Sequence, residues 1–89
     1  MHDMMDRLSR VEAWMVDYIA ELLEVPASDV PTDRSFDQLG LDSVASVTLV
    51  SDLGRWMGLK LDTRLVVEHP TIEAVAAHLR RSEGRAAAV

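Results

Sequence analysis

Cysteine is absent from this chain of 89 residues, which excludes disulfide bonds and metal sites built on thiolates. Long apolar runs are also absent: no stretch approaches the roughly 18 residues of a membrane span or the roughly 7–15 residues of a signal-peptide core. The three histidines, His2, His69 and His78, are scattered, and their spacing does not predict converging metal ligands. We therefore expect a cytoplasmic protein with no membrane segment and no metal centre.

Basic residues are also scarce, because nine Lys and Arg stand against fifteen Asp and Glu, for a net charge of −6. Residues 1–42 hold ten acidic residues and three arginines, a net charge of −7, whereas residues 43–89 hold five acidic and six basic residues, a net charge of +1. Nucleic-acid affinity comes largely from Lys and Arg contacts to phosphates. Nucleic acid is therefore not an expected partner.

A chain of this length forms one small domain, which we assign to residues 1–89. Its first helix is predicted over about residues 5–24, where apolar side chains recur at spacings of three and four. These residues are Leu8, Val11, Met15, Ile19, Leu22 and Leu23. Pro26 ends the helix, and a long connection follows over residues 25–41. We expect Val30, Phe36 and Leu39 to pin this connection to the core.

The second helix is predicted over about residues 43–57, with Asp42 or Ser43 as its N-cap and Gly58 as its C-cap. Its more apolar stripe is assigned to the core and consists of Ser46, Leu49, Val50, Leu53 and Met57. Its mixed stripe is assigned to an exposed outward face and consists of Val44, Val47, Thr48, Ser51 and Arg55.

A short third helix is predicted within residues 62–68, although Val66 and Val67 weakly favour a strand. The fourth helix is predicted to begin after Pro70, with Thr71 as its cap, and to end near Arg81. The ordered core is then about residues 5–81, and residues 82–89 are expected to be a flexible tail. Apart from the 25–41 connection, short runs between helices able to pack antiparallel predict an all-α fold, a four-helix bundle with a short third helix.

Ser43 lies at the N-terminus of the predicted second helix, in the segment QLGLDSV, residues 38–44. Gly40 allows a sharp turn, and Asp42 is suited to accept hydrogen bonds from the first N–H groups of the helix. Ser43 is then presented to solvent, and no base lies near it in sequence. Such a serine is better suited to being modified than to performing catalysis, although Asp-Ser is also an ordinary helix start.

The longer segment FDQLGLDSV, residues 36–44, resembles the phosphopantetheine attachment site of acyl carrier proteins. The segments GLKL (58–61), LVVEHPTI (65–72) and AVAAHL (74–79) resemble, in the same order and spacing, the later parts of carrier domains, especially those of modular polyketide synthases. The resemblance covers about residues 8–80. It implies a four-helix bundle with a short third helix, which agrees with the periodicity, and a carrier rather than an enzyme.

The resemblance implies that a phosphopantetheinyl transferase uses coenzyme A and Mg²⁺ to attach 4′-phosphopantetheine to Ser43. Gly40, Leu41 and Asp42 match the surrounding attachment site. The thiol of the arm would carry acyl groups as thioesters between partner enzymes, such as an acyltransferase, an acyl-activating ligase or a ketosynthase, in polyketide or related secondary metabolism. We expect the carrier to be a monomer.

The resemblance also implies where partners bind, namely at the start of the second helix and along its outward face. Thr48 and Arg55 stand where many carriers have acidic residues, so salt bridges of the kind used by fatty-acid partners are not expected. An apolar contact through Val44 and Val47 is predicted instead. The residues matched to this surface are Leu41, Asp42, Val44, Val47, Thr48, Ser51 and Arg55.

Three alternatives stay open at this point. The triplet Gly40-Leu41-Asp42 differs from the Gly-Gly-His or Gly-Gly-Asp of many peptidyl carriers, which favours acyl over aminoacyl cargo only weakly. An unmodified helical interaction module would dock a partner without any role for Ser43. A hydrolase would use Ser43 as its nucleophile, but it would need a base and an oxyanion hole, and His69 is the one histidine near enough to consider.

Overall fold

The computed structural model describes the backbone of residues 3–88 and the side chains of residues 5–83. Within that range the chain forms four α-helices: α1 (Asp3–Leu23), α2 (Ser43–Met57), α3 (Leu65–Glu68) and α4 (Ile72–Ala88). The described residues contain no β-strand, only an isolated antiparallel bridge between Ser35 and Thr71. The predicted all-α bundle with a short third helix is confirmed, and α2 has the predicted bounds.

The core lies between α1, α2 and α4, with α1 packed mainly against α4. The predicted core faces are confirmed for most positions, because their side chains are 3% exposed or less, apart from Ser46 at 7%. The buried residues of these faces are Leu8, Val11, Met15 and Ile19 on α1, Ser46, Leu49, Val50, Leu53 and Met57 on α2, and Ile72, Val75, Ala76 and Leu79 on α4.

Leu22 is the exception on α1, because its side chain is 49% exposed although the periodicity assigns it to the core. Neighbouring helix positions differ in direction by about 100°, so only one of Leu22 and Leu23 follows Ile19 onto the buried face. Leu23 is half-buried and packs against the core. The prediction for Leu22 is therefore wrong, and the stripe continues at the i+4 position.

The connection between α1 and α2 is fastened to the beginning of α4. The Phe36 N–H donates to the carbonyl of Pro70 (2.9 Å), and the Thr32 hydroxyl donates to the carboxylate of Glu73 (2.6 Å). Val30 and Phe36 are buried in the core and Leu39 is half-buried against it. The predicted contacts of these three residues with the core are therefore confirmed. This long segment therefore approaches α2 from a fixed position, although it contains only one turn of 3-10 helix, Ala27–Asp29.

Helices α3 and α4 differ in length from the prediction. Helix α3 is confined to Leu65–Glu68, because residues 62–64 form the turn before it, in which the Leu65 N–H donates to the Asp62 carbonyl (3.0 Å). The predicted cap of α4 is confirmed, since the Thr71 hydroxyl accepts from the Ala74 N–H (3.0 Å). The predicted end at Arg81 is wrong, because α4 continues to Ala88.

Alanine has the highest helix propensity and arginine one of the next highest, which explains how residues 85–88 extend α4 past Gly84. That residues 82–89 are flexible stays a prediction, and Val89 lies outside the described residues.

Aromatic side chains join α1 to α2 along one side of the bundle. Trp14 stacks on Tyr18 and on Trp56, with ring centroids 5.2 and 5.5 Å apart. The Tyr18 hydroxyl donates to the carboxylate of Asp52 (2.7 Å), and burial together with this acceptor raises the pKa of Tyr18 to about 12. Trp56 packs against the core, as predicted. These contacts fix the position of α2, and with it the position of Ser43.

Gly54 is needed for a close approach inside α2. A Cβ atom at this position would lie 2.7 Å from the backbone carbonyl oxygen of Leu59, which itself follows the α2 C-cap Gly58 (φ 73°). Glycine to alanine in an ordinary helix interior stabilises by about 1 kcal/mol. Here we expect Gly54→Ala to destabilise by roughly 1–3 kcal/mol, because the carbonyl belongs to the backbone and has to shift.

Urea denaturation of the wild type, Gly54→Ala and Ser51→Ala measures this effect. Ser51 is exposed on the same helix, so its replacement by alanine is expected to change the stability little. A Gly54→Ala protein more stable than the wild type would show that α2 does not require the close approach to Leu59.

Candidate functional site

Ser43 is the first residue of α2, and its side chain is exposed. Asp42 caps the helix: its carboxylate accepts from the Ala45 N–H (2.8 Å), and its carbonyl accepts from the Ser46 N–H (3.0 Å). The cap therefore confirms the prediction made for Asp42. Because Asp42 satisfies the helix end, the Ser43 hydroxyl does not have to, and it faces solvent at the positive end of the α2 dipole.

A tight turn over residues 35–41 delivers the chain to this cap. The Leu41 N–H donates to the Phe36 carbonyl (3.0 Å), and Gly40 lies in the left-handed region with φ of 96°. Ser35 and Gln38 close the turn with two reciprocal hydrogen bonds of 3.0 and 3.1 Å, from each backbone N–H to the other's side chain. The predicted role of Gly40 is confirmed, because a residue with a Cβ atom would be strained at this φ value.

Leu41 differs from its predicted role on the partner-facing surface. Its side chain is only 4% exposed and belongs to the core cluster. The reason is that the turn reverses the chain at Gly40 and directs Leu41 beneath the start of α2. Leu41 therefore contributes an inner wall to the site, and little of it is available to a partner.

An open groove of about 570 Å³ lies beside Ser43, between the start of α2, the 35–41 turn and α3. We call it the Ser43 groove. Its lining is largely apolar, and the residues that form it are Ser35, Phe36, Asp37, Leu41, Asp42, Ser43, Ser46, Val47, Thr63, Arg64, Val66, Val67 and Pro70. A long, thin group attached to Ser43 has room to lie along this surface.

Sequence reasoning missed the α3 side of the Ser43 groove, which consists of Thr63, Arg64, Val66 and Val67. Val67 is 77% exposed, so most of its side chain is open to solvent on this side of the groove. The local signal was the segment Asp62-Thr63-Arg64 followed by Leu65 and two valines. This segment predicts a short helix, but it does not indicate which element that helix faces. The contact between α2 and α3 is tertiary, so helix periodicity carries no information about it.

The outward face of α2 is exposed at every predicted position. Val44 is 74% exposed and Val47 is 41% exposed, and Thr48, Ser51 and Arg55 also lie on the surface. The Thr48 hydroxyl donates to the Val44 carbonyl (2.8 Å), and Arg55 lies 3.5 Å from the Asp52 carboxylate. Two exposed valines beside Ser43 form the apolar patch that a docking surface would need.

A serine–histidine hydrolytic site around Ser43 lacks its histidine in the described part of the chain. None of the residues that line the Ser43 groove is a histidine. His69 instead stacks on His78 of α4, with ring centroids 4.2 Å apart. Among the described side chains, no group of three or more His, Cys, Asp or Glu is arranged to hold a metal ion. In the same range, no helix is long and apolar enough to cross a membrane.

Residues 13–79 match the family model described as "Phosphopantetheine attachment site". The chain belongs to this family of carrier proteins. The matched region includes α2, the 35–41 turn, α3 and the Ser43 groove. As a member of the family the chain is a carrier and not an enzyme, and its prosthetic group is a covalently attached 4′-phosphopantetheine.

Curated relatives include a discrete carrier and much larger synthases. The chain is 38% identical over 66 residues to the acyl carrier protein TtuC of Teredinibacter turnerae, covering 74% of this chain and 76% of that protein. It is 40% identical over 88 residues to erythronolide synthase EryA2 of Saccharopolyspora erythraea, covering 88% of this chain but only 2% of the synthase. The chain thus spans three quarters of one relative and a small fraction of the other.

Solved structures support the same fold. A free-standing peptidyl carrier protein from a secondary metabolic pathway of Acinetobacter baumannii superimposes with a TM-score of 0.75 at 27% sequence identity. The match covers 83% of this chain and 92% of that chain. The two proteins therefore share the fold of most of the bundle.

The residues at the start of α2 fit the prosthetic group. The group needs an accessible hydroxyl, and the exposed Ser43 side chain supplies one beside an open groove. When bound, 4′-phosphopantetheine supplies a terminal thiol that holds an acyl group as a reactive thioester. Asp42 holds the first turn of α2 in place, and the 35–41 turn and α3 form the two sides of the groove.

Proposed function

We propose that Ser43 bears the 4′-phosphopantetheine arm and that the chain delivers acyl intermediates to the enzymes of polyketide assembly. The observation that carries the proposal is the exposed Ser43 hydroxyl in a member of the carrier family. It lies beside a groove, at the first position of a helix that Asp42 caps. Ser46 follows on the same helix but is 7% exposed, which makes it a poor acceptor.

Attachment requires only that Ser43 reach a transferase. The Ser43 oxygen forms a bond to the phosphorus next to the pantetheine of coenzyme A, and the pyrophosphate P–O bond breaks. The leaving group, 3′,5′-ADP, departs with the bonding electron pair, and the serine proton passes to a base of the transferase. Mg²⁺ held by the transferase neutralises the phosphates. The bundle contributes an exposed and rigidly held nucleophile.

The relatives support the polyketide assignment. TtuC is named as an acyl carrier protein, and EryA2 is named as an erythronolide synthase. The partners we propose are a phosphopantetheinyl transferase, an acyltransferase or acyl-activating ligase for loading, and a ketosynthase for chain extension. We propose that the carrier meets them as a monomer in the cytoplasm.

Loading the arm with different cargoes, each in a separate reaction, tests the acyl assignment. The wild type is converted with a transferase and either malonyl-, acetyl- or aminoacyl-coenzyme A, and each product is offered to a polyketide ketosynthase and to a peptide-forming condensation domain. We expect transfer from the acyl-loaded forms to the ketosynthase. Transfer of only the aminoacyl form, and only to the condensation domain, would overturn the acyl assignment.

A peptidyl carrier is the second candidate function, because the free-standing carrier from Acinetobacter baumannii with the same fold is named as one. Against it stands the Gly40-Leu41-Asp42 triplet, which differs from the pattern of many peptidyl carriers. The same loading experiment separates the two, since each predicts a different acceptor.

Val44→Asp is expected to leave the fold intact and to impair acyl transfer to partner enzymes. Val44 is 74% exposed, so the substitution removes little buried area, but it places a charge in the apolar patch that a partner has to cover. Removing about 1.4–2 kcal/mol of interface energy would lower the rate constant kcat/KM of transfer by roughly 10- to 30-fold.

Met5→Asp provides the matched control, because Met5 is 52% exposed in the first turns of α1. The contacts of Trp56 and Asp52 with α1 show that α1 and α2 run antiparallel. Met5 therefore lies at the end of this helix pair opposite to Val44. Circular dichroism confirms that both variants are folded. Equal transfer rates for wild type and Val44→Asp with every cognate partner would show that the outward face of α2 is not the docking surface.

A further inference from the structure

The charges around the Ser43 groove are unbalanced. Two carboxylates, Asp37 and Asp42, line it, and Arg64 is the one cation among the described residues that do so. The phosphodiester that joins an arm to Ser43 would bring a further negative charge into this setting. Arg64 is therefore the lining side chain whose charge can offset that of the phosphate.

Arg64 is held in place by a carboxylate that does not line the groove. The guanidinium Nε donates to both oxygens of Asp62 (3.3 and 3.2 Å), and Nη2 donates to one of them (2.9 Å). The Arg64 backbone N–H also donates to Asp62 (2.9 Å). The hydrogen bonds and the opposite charge of the partner lower the pKa of Asp62 and raise that of Arg64.

The pairing leaves the outer edge of the guanidinium available. Of the five N–H groups of an arginine, those directed to Asp62 are Nε–H and one on Nη2. The remaining three lie on Nη1 and Nη2, and they form the fork that matches two oxygens of a phosphate. An arginine oriented by one carboxylate in this way loses less side-chain freedom when it binds an anion.

We propose that Arg64 is a positioning residue for the arm: its guanidinium, oriented by Asp62, binds the phosphodiester at Ser43 and holds the arm along the Ser43 groove. This contact rests on the proposed attachment at Ser43, and it gives the N-cap of α3 a role that the helix stripes do not indicate. The bond joins α3 to the start of α2 through the arm, so loading would also restrain the short helix α3.

Nuclear magnetic resonance of the loaded protein tests the role of Arg64. The wild type, Arg64→Gln, Arg64→Lys and the control Arg80→Gln are converted with coenzyme A and a transferase, and intact mass establishes that each is fully loaded. Arg80 is exposed on α4 and does not line the groove. The phosphorus-31 resonance of the phosphodiester and the Nε–Hε resonance of Arg64 are then recorded.

In the wild type we expect loading to shift the Arg64 Nε–Hε resonance. Arg64→Gln is expected to narrow the phosphorus-31 resonance and to move it towards the position found in free phosphopantetheine. Arg64→Lys should restore part of the shift, because it keeps the charge but not the fork, and Arg80→Gln should match the wild type. All differences should collapse at about 1 M salt, where the Debye length is about 3 Å.

Identical phosphorus-31 shifts and line widths in fully loaded wild type and Arg64→Gln would overturn the role of Arg64 and leave attachment at Ser43 standing. Failure of the wild type to accept an arm would overturn the proposed function itself. Circular dichroism of each loaded variant shows whether it is folded. Should Arg64→Gln be unfolded, the comparison of wild type with Arg64→Lys decides, since equal spectra for those two would also contradict a forked contact.

Discussion

Ser43→Ala is expected to abolish attachment of the 4′-phosphopantetheine arm while leaving the bundle folded. The substitution removes the exposed hydroxyl oxygen at the capped start of α2. Asp42, not Ser43, accepts the hydrogen bond from the helix end, so the cap survives the change. Alanine is also a good helix former at the first helical position, so we expect little effect on stability.

Transfer from a fluorescent coenzyme A analogue, followed on a denaturing gel, measures this loss. Ser51→Ala is the matched control, because Ser51 is an exposed serine on the same helix and should be labelled at the wild-type rate. Residual labelling of Ser43→Ala at a rate near that of the wild type would place the arm on another residue.

Leu53→Ala is expected to lower the free energy of unfolding by about 2–5 kcal/mol. Leu53 is fully buried on the inner face of α2, within the core cluster shared with α1 and α4. Truncation removes three heavy atoms from that core and leaves a cavity that the surrounding helices fill only in part. Since a domain of this size has a modest total stability, the loss would be a large share of it.

Leu22→Ala makes the same chemical change at a leucine that is 49% exposed and is expected to cost only about 0.5 kcal/mol. Urea denaturation of the three proteins gives both values, and equal m-values would show that the unfolded states are comparable. A loss below about 1 kcal/mol for Leu53→Ala would mean that the inner face of α2 has been assigned wrongly.

Helix α2 could be predicted closely because the signals that define it are local. Asp42 supplies the N-cap and Gly58 the left-handed C-cap, and the chain needs no distant contact to begin and end the helix there. The apolar stripe between the caps also predicted which side chains are buried. The exposure of Ser43 follows from the same local features, since the residue after an N-cap lies at the start of the first turn.

Tertiary contacts decide the features that the sequence could not reveal. Leu41 reads as part of an exposed motif, yet the turn at Gly40 carries it into the core. The approach of Arg64 and Val67 to α2 depends on how α3 is folded back, which no periodicity records. Leu22 shows the same limit on a smaller scale, because the choice between it and Leu23 is made by the packing of α1.

Tandem mass spectrometry of the loaded wild type shows whether one arm is attached and whether Ser43 carries it. The protein is incubated with coenzyme A, Mg²⁺ and a broad-specificity transferase, its intact mass is measured, and the peptide that spans α2 is fragmented. We expect a mass increase of one phosphopantetheine, located on Ser43 and not on Ser46, Thr48 or Ser51. No added mass on the folded protein with two different transferases, or an arm on one of those other residues, would contradict it.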